Sequence, residues 1–228
     1  MTAFSQVGAT IAGRVFQIRQ TLPPSVRLIA VSKQVSIAAM REAYAAGIRD
    51  FGESRVQEAE EKRRQLQDLP DITWHLIGHL QSNKVQRALE VFHWIHSVDS
   101  LKLAERLNRF AEGYEQKPRV CLQVKLLPDP NKTGWSVGGL LADLSQLDQL
   151  EHLAICGLMT ILPLGLSAAE GLEVFLQTRN LADSICQKDW QRIQLHELSM
   201  GMSNDYAIAV QAGATMVRLG RILFGDRP

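Results

Sequence analysis

Eight short apolar runs, separated by amphipathic stretches, constrain this sequence more than any other feature. The runs are 27–33, a brief 48–52, 73–78, 93–98, 119–126, 153–161, 194–200 and 215–220. Helical patterns fall between them at 37–46, 55–67, 83–91, 101–112 and 168–187. In one of these, Leu101, Ala104, Leu107 and Phe110 recur near the helical period while Lys102, Glu105, Arg106 and Arg109 take the other face. Strand-length runs alternating with helices specify parallel βαβ units. Eight units in 228 residues predict an α/β fold, a single TIM-type (β/α)8 barrel domain over 1–228. It is compact beside the ~250 residues typical of that barrel, so its loops must be short. An extra helix at about 5–20 precedes the first strand, and Leu22-Pro23-Pro24 ends it. The alternative is an open Rossmann-like sheet, which would want a Gly-x-Gly-x-x-Gly turn after an early strand; the sequence has none.

Charge narrows the partners. With 25 basic residues against 24 acidic, nothing calls for nucleic acid or an anionic membrane surface. Cys121 and Cys156 lie in apolar runs and Cys186 in a helical pattern, which reads as reduced filler in a cytoplasmic protein. No apolar stretch reaches 18 residues, and Met1-Thr-Ala-Phe-Ser-Gln lacks the basic start and apolar block of a signal peptide.

In such a barrel the residues that end each strand converge on one face, where barrel enzymes place their chemistry. Those residues are Lys33, Glu53, Gly78-His79, Asp99, Lys125, Met159-Thr160, Ser199-Met200 and Arg218. Lys33 emerges from a mostly apolar run, and a desolvated amine near a second cation, for which Lys125 is a candidate, loses its proton more readily. Ser199-Met-Gly-Met-Ser203 reads as a strand turning into a helix at 205–212, with Gly201 allowing close backbone approach and Ser203 or Asn204 as the cap. Amides at such a helix start attract phosphate. Arg218 alternates into the barrel, and Gly220 with the amides after it forms a second backbone phosphate site in the loop where barrels commonly hold phosphate. A reactive lysine facing a phosphate cradle suggests a phosphorylated aldehyde held as a Schiff base, of which pyridoxal 5′-phosphate (PLP) is the commonest.

Each feature also has a plainer explanation. Lys33 could be a solvated lysine, the 199–205 segment an ordinary capped helix, and Arg218 half of a salt bridge with Glu197 or Glu53. His75 and His79 fall on a strand and its exit loop, a poor zinc pair, and His93 and His96 read as structural. No Gly-x-Ser-x-Gly elbow and no legible Cys–His pair supports a hydrolase. Asn131-Lys-Thr-Gly-Trp135 is a loop tip that either covers a ligand or simply turns.

Together the segments Ala30-Val-Ser-Lys33, Phe51-Gly-Glu-Ser-Arg-Val-Gln-Glu58, Trp74-His-Leu-Ile-Gly-His-Leu-Gln-Ser-Asn-Lys84, His96-Ser-Val-Asp99, Gly157-Leu-Met-Thr160, Leu198-Ser-Met-Gly-Met-Ser-Asn-Asp205 and Val217-Arg-Leu-Gly-Arg-Ile-Leu-Phe-Gly225 resemble the pyridoxal phosphate homeostasis proteins. These are relatives of the alanine racemase barrel, of PLP fold type III. The resemblance implies that Lys33 forms the Schiff base, Ser199 is a side-chain phosphate ligand, and Gly220 and Arg221 are backbone phosphate ligands. It further implies that Arg218 faces the pyridine nitrogen and that Asn83 and Met200 line the site. Ser54, where many members carry asparagine, and Lys132-Thr-Gly134 depart from the family pattern and touch only contacts above the cofactor.

The same resemblance bears on catalysis. A cation at the pyridine nitrogen disfavours its protonation and leaves a weak electron sink. Racemisation needs a second base, which the racemases take from a further C-terminal domain; this chain ends at Pro228, and Tyr44, Tyr114 and Tyr206 fall in helical patterns. The expectation is a monomeric PLP carrier of vitamin B6 and amino-acid homeostasis, without robust turnover or metal. PLP-dependent enzymes or regulatory proteins are its candidate partners. A PLP-dependent racemase or decarboxylase, a cofactor-free Schiff-base aldolase and a protein-binding regulator are the alternatives.

Overall fold

A computed structural model describes residues 10–225. Its elements follow the apolar rhythm of the sequence. Helix α1 (Ile11–Thr21) leads into β1 (Arg27–Val31), followed by α2 (Ile37–Ala45), β2 (Asp50–Glu53), α3 (Val56–Gln65) and β3 (Thr73–Leu76). Next come α4 (Val85–Val91), β4 (Trp94–Val98), α5 (Leu101–Ala111), β5 (Arg119–Lys125), the two-residue β6 (Trp135–Ser136) and α6 (Val137–Leu147). The last part holds β7 (Ala154–Met159), α7 (Ala168–Cys186), β8 (Ile193–Met202), α8 (Tyr206–Gln211), β9 (Met216–Leu219) and α9 (Arg221–Phe224).

The strands pair in parallel in the order β4-β3-β2-β1-β9-β8-β7-β5, and β4 also pairs with β5. That last pairing closes an eight-stranded parallel barrel, and β6 merely extends β5 at its rim. Closure divides the apolar residues into two populations. The larger core lies between strands and helices. A second cluster, Ile29, Trp94, Cys121, Met159 and Met216, takes one residue from each of five strands and fills the barrel interior.

Local chemistry sets the helix limits. Thr10 accepts from Gly13 N at 3.1 Å to start α1, so the described helix begins later than about 5; positions 5–9 lie outside the described residues. Ser167 and Glu170 form a reciprocal capping box on α7, the longest helix described. The start of α8 differs from expectation. Its N-cap is Asp205, with no side-chain cap bond, and the Asp205 carboxylate instead accepts from Met202 N at 2.5 Å. Neither Ser203 nor Asn204 caps that helix, because β8 runs on through Gly201 to Met202 and the turn needs both residues.

Candidate functional site

At the carboxyl ends of the strands a cavity of about 560 Å³ opens between the β1, β2, β7, β8 and β9 exits. Lys33, Ser54, Ser203, Asn204, Arg218, Gly220 and Arg221 supply polar groups to its wall, and Leu162, Leu164, Leu166 and Ile208 an apolar lip. Leu164 stands almost wholly in solvent, at 98% exposure. Gly201, at φ +92°, makes the turn behind this wall possible. A Cβ there would lie 2.6 Å from the Ala209 Cβ, so no side chain fits without moving α8.

Arg218 is the least ordinary member of the wall. It is buried, its Nη1 donates to Ser199 Oγ at 2.7 Å, and its Nη2 donates to the Thr160 carbonyl at 3.0 Å. Burial pulls its pKa down to about 10. Neither carboxylate expected to pair with it does so. Glu53 accepts from Ser32 Oγ (2.7 Å) and Lys62 Nζ (2.8 Å), and Glu197 from Thr215 Oγ1 (2.6 Å), with Arg27 at 3.5 Å. A buried guanidinium carrying neutral partners is costly unless an anion or strong acceptor completes it.

Lys33 follows β1 by two residues, and its neighbours are pinned from α3. Lys62 Nζ donates to the Ser32 carbonyl (2.6 Å), to Glu53 Oε1 and to Glu58 Oε1 (2.7 Å). Glu58 in turn accepts from Gln34 N at 2.6 Å and holds Gln34 at φ +60°. Burial raises the Glu53 pKa against the opposing pull of Lys62, and Glu53 Oε2 is buried without a partner. The lysine backbone is thus clamped on both sides by a buried ionic network.

The expected site residues divide. Lys33, Arg218, Gly220 and Arg221 meet at the cavity, where Gly220 N approaches Ser203 Oγ at 3.4 Å and Arg221 Nη2 donates to Asn204 Oδ1 at 3.2 Å. Ser199, Met200 and Asn83 do not line it. Ser199 is fully buried beneath it, its hydroxyl engaged by Arg218 and by His96 Nδ1 at 2.7 Å. Met200, one residue on, points to the opposite face and packs in the outer core. Asn83 is exposed in a 3-10 turn. Of the 199–203 motif, Ser203 is the serine that reaches the wall, and Met202 the methionine. Lys125 is not among the residues lining the cavity with Lys33; it donates to the carbonyls of Asp129 and Lys132 in its own loop. That loop is a packed strut, since Lys132 Nζ donates to the Leu162 carbonyl at 2.6 Å and braces the lip from behind.

Among the histidines, His93 Nδ1 accepts from Trp74 N at 2.9 Å, and His79 meets Asp99 at 3.0 Å. His75 and His96 belong to a buried polar chain that the sequence did not reveal. Its members are on separate strands, and closure of the barrel brings His96 of β4 against Ser199 of β8.

The profile of the alanine racemase N-terminal domain matches residues 9–228. A pyridoxal phosphate homeostasis protein of Synechocystis is 56% identical over 211 residues, 92% of this chain and 96% of that protein. One of Pseudomonas aeruginosa is 40% identical over 236 residues, 100% of this chain and 97% of that protein. The structure of PipY from Synechococcus elongatus with PLP bound superposes with a TM-score of 0.90 at 56% identity, covering 95% of this chain and 100% of PipY.

Proposed function

Because the chain belongs to the pyridoxal phosphate homeostasis protein family, we propose that it binds PLP at the strand ends and holds it for exchange, without robust turnover. The observation that carries this reading is Arg218, a buried cation in the wall it shares with Lys33, hydrogen-bonded to the neutral Ser199 hydroxyl and Thr160 carbonyl. The donor set fits the cofactor. Lys33 supplies an amine for covalent anchorage of an aldehyde. The Ser203 hydroxyl and the backbone at Gly220 and Arg221 suit a phosphate, and Asn204 steadies Arg221. Arg218 would place a fixed positive charge at the cofactor ring and oppose protonation of its nitrogen.

Bound there, PLP would supply a reactive aldehyde and an electron-withdrawing ring. The residues around it do little to exploit that chemistry. Arg218 would leave the ring a weak electron sink, and among the described residues the wall offers no histidine or tyrosine as a second base. Tyr44 binds Asp71 beneath the Arg49 guanidinium, Tyr206 OH lies 3.3 Å from Thr21 Oγ1, and Tyr114 lines a groove with Arg63 and Arg119 instead.

Absorption spectra of PLP-loaded wild type and Lys33→Ala, read beside D- and L-alanine turnover, test this function. The expected result is a yellow wild type, free-aldehyde absorbance in the variant, and no steady turnover. Identical spectra, or sustained racemisation, would overturn it.

A further inference from the structure

A file of buried polar groups crosses the barrel interior, from the end opposite the cavity to the cavity wall. It begins at Asp50, the first residue of β2, whose Oδ1 lies 3.0 Å from His75 Nε2. His75 Nδ1 is 2.9 Å from His96 Nε2, and His96 Nδ1 is 2.7 Å from Ser199 Oγ. Ser199 Oγ is 2.7 Å from Arg218 Nη1. His75, His96, Ser199 and Arg218 are buried, while Asp50 keeps 23% side-chain exposure.

Each contact must join one donor to one acceptor, and the Asp50 end sets the direction. A carboxylate only accepts, a guanidinium only donates, and a neutral imidazole carries one proton. His75 therefore gives its Nε2 proton to Asp50 and accepts at Nδ1 from His96 Nε2. His96 Nδ1 is then bare and accepts the Ser199 hydroxyl hydrogen, while Ser199 Oγ accepts from Arg218 Nη1. The reverse polarity would set two acceptors, a bare His75 Nε2 and the Asp50 carboxylate oxygen, against each other at 3.0 Å. We infer that Asp50 is a positioning residue for Arg218, fixing at a distance the hydrogen-bond direction that locks the guanidinium at the cavity wall.

The groups packed around the file support a single neutral state. Burial lowers the pKa of both imidazoles, His96 well below its ordinary value; Arg27 acts in the same direction on both, and His75 and Arg218 do so on His96. Asp50 and Glu197 pull His75 the other way, but less than burial does. Trp94 lies parallel to His75 with ring centroids 6.1 Å apart and tilts against His96 at 5.9 Å, so both imidazoles pack against one buried indole.

The effect on bound PLP rests on the proposed function; the direction of the file does not, so the two are tested separately. Nitrogen-15 NMR of the ligand-free wild type should show His75 and His96 neutral, each protonated on Nε2 and bare on Nδ1. Protonated Nδ1 on either ring, or a charged imidazole at neutral pH, would overturn the inference even if every variant failed to fold. In Asp50→Ala the last acceptor is gone, and a mixture of tautomers should appear. Asp50→Asn keeps an oxygen acceptor and should restore the wild-type pattern. Unchanged, pure tautomers in Asp50→Ala would remove Asp50 from its role. PLP release should be faster by about tenfold in Asp50→Ala and within about twofold of wild type in Asp50→Asn, the scale of one lost hydrogen bond. Equal release from both variants would count against the coupling. A wild type that binds no PLP would sink the proposed function and leave the tautomer result standing.

Discussion

Lys33 owes its place to a cation that never reaches the cavity wall. Lys62 ties the Ser32 carbonyl to Glu53 and Glu58, and Glu58 holds Gln34 in a left-handed conformation that a glutamine rarely adopts. Removing one partner of such a buried ion network strands the others, so Lys62→Met should cost about 3–5 kcal/mol in urea unfolding and weaken PLP retention together. A loss below about 1 kcal/mol would show that the network is not holding the fold. Sequence could find Lys33, Arg218, Gly220 and Arg221 because each sits at a strand end or in a glycine turn. It could not separate Ser199 from Ser203, since both are serines of one motif. Alternation from Ser199 would have turned Met200 outward, but depth within the barrel is needed to see that Ser199 lies under the cavity and Ser203 at its wall.

At the scale of elements, the turn from β8 into α8 carries the Ser203 side of the wall. Gly201 sits at φ +92° with the Ala209 Cβ and the Tyr206 Cα pressed against the place of its missing side chain. Gly201→Ala should therefore destabilise by about 1–3 kcal/mol, through backbone strain and overpacking combined, and loosen the ligand by displacing Ser203. Denaturant midpoints and PLP dissociation would both register it, and a neutral substitution would mean that the turn is soft. The strands were legible because their apolar runs are short and separated by amphipathic segments. Helix α6 was less so. Gly138 and Gly139 occupy its first turn, which propensity alone argues against, and the Ser136 side chain accepting from Gly139 N at 3.1 Å compensates.

For the whole molecule, the closed sheet turns residues distant in sequence into a polar file inside an apolar barrel. Neither Asp50 nor His75 nor His96 announces this, because the contacts run across strands and no local period records them. The file has a cost on acidification. Burial keeps His75 and His96 below the ordinary histidine value of 6.5, against the smaller upward pull of Asp50 on His75, so the unfolded chain takes up protons that the folded one refuses. Their contribution is therefore complete above pH 6.5 and is lost as pH falls below it, by up to about 1.4 kcal/mol per pH unit for each ring. Denaturant unfolding at several pH values should show that slope before most carboxylates titrate, and a flat profile between about pH 6.5 and 5 would contradict it. The account as a whole depends on one bond to one side chain. Borohydride reduction of the PLP-loaded protein, followed by peptide mapping, reads it directly. The account predicts the pyridoxyl adduct on the peptide carrying Lys33; an adduct confined to Lys62, Lys125 or any other lysine would contradict it.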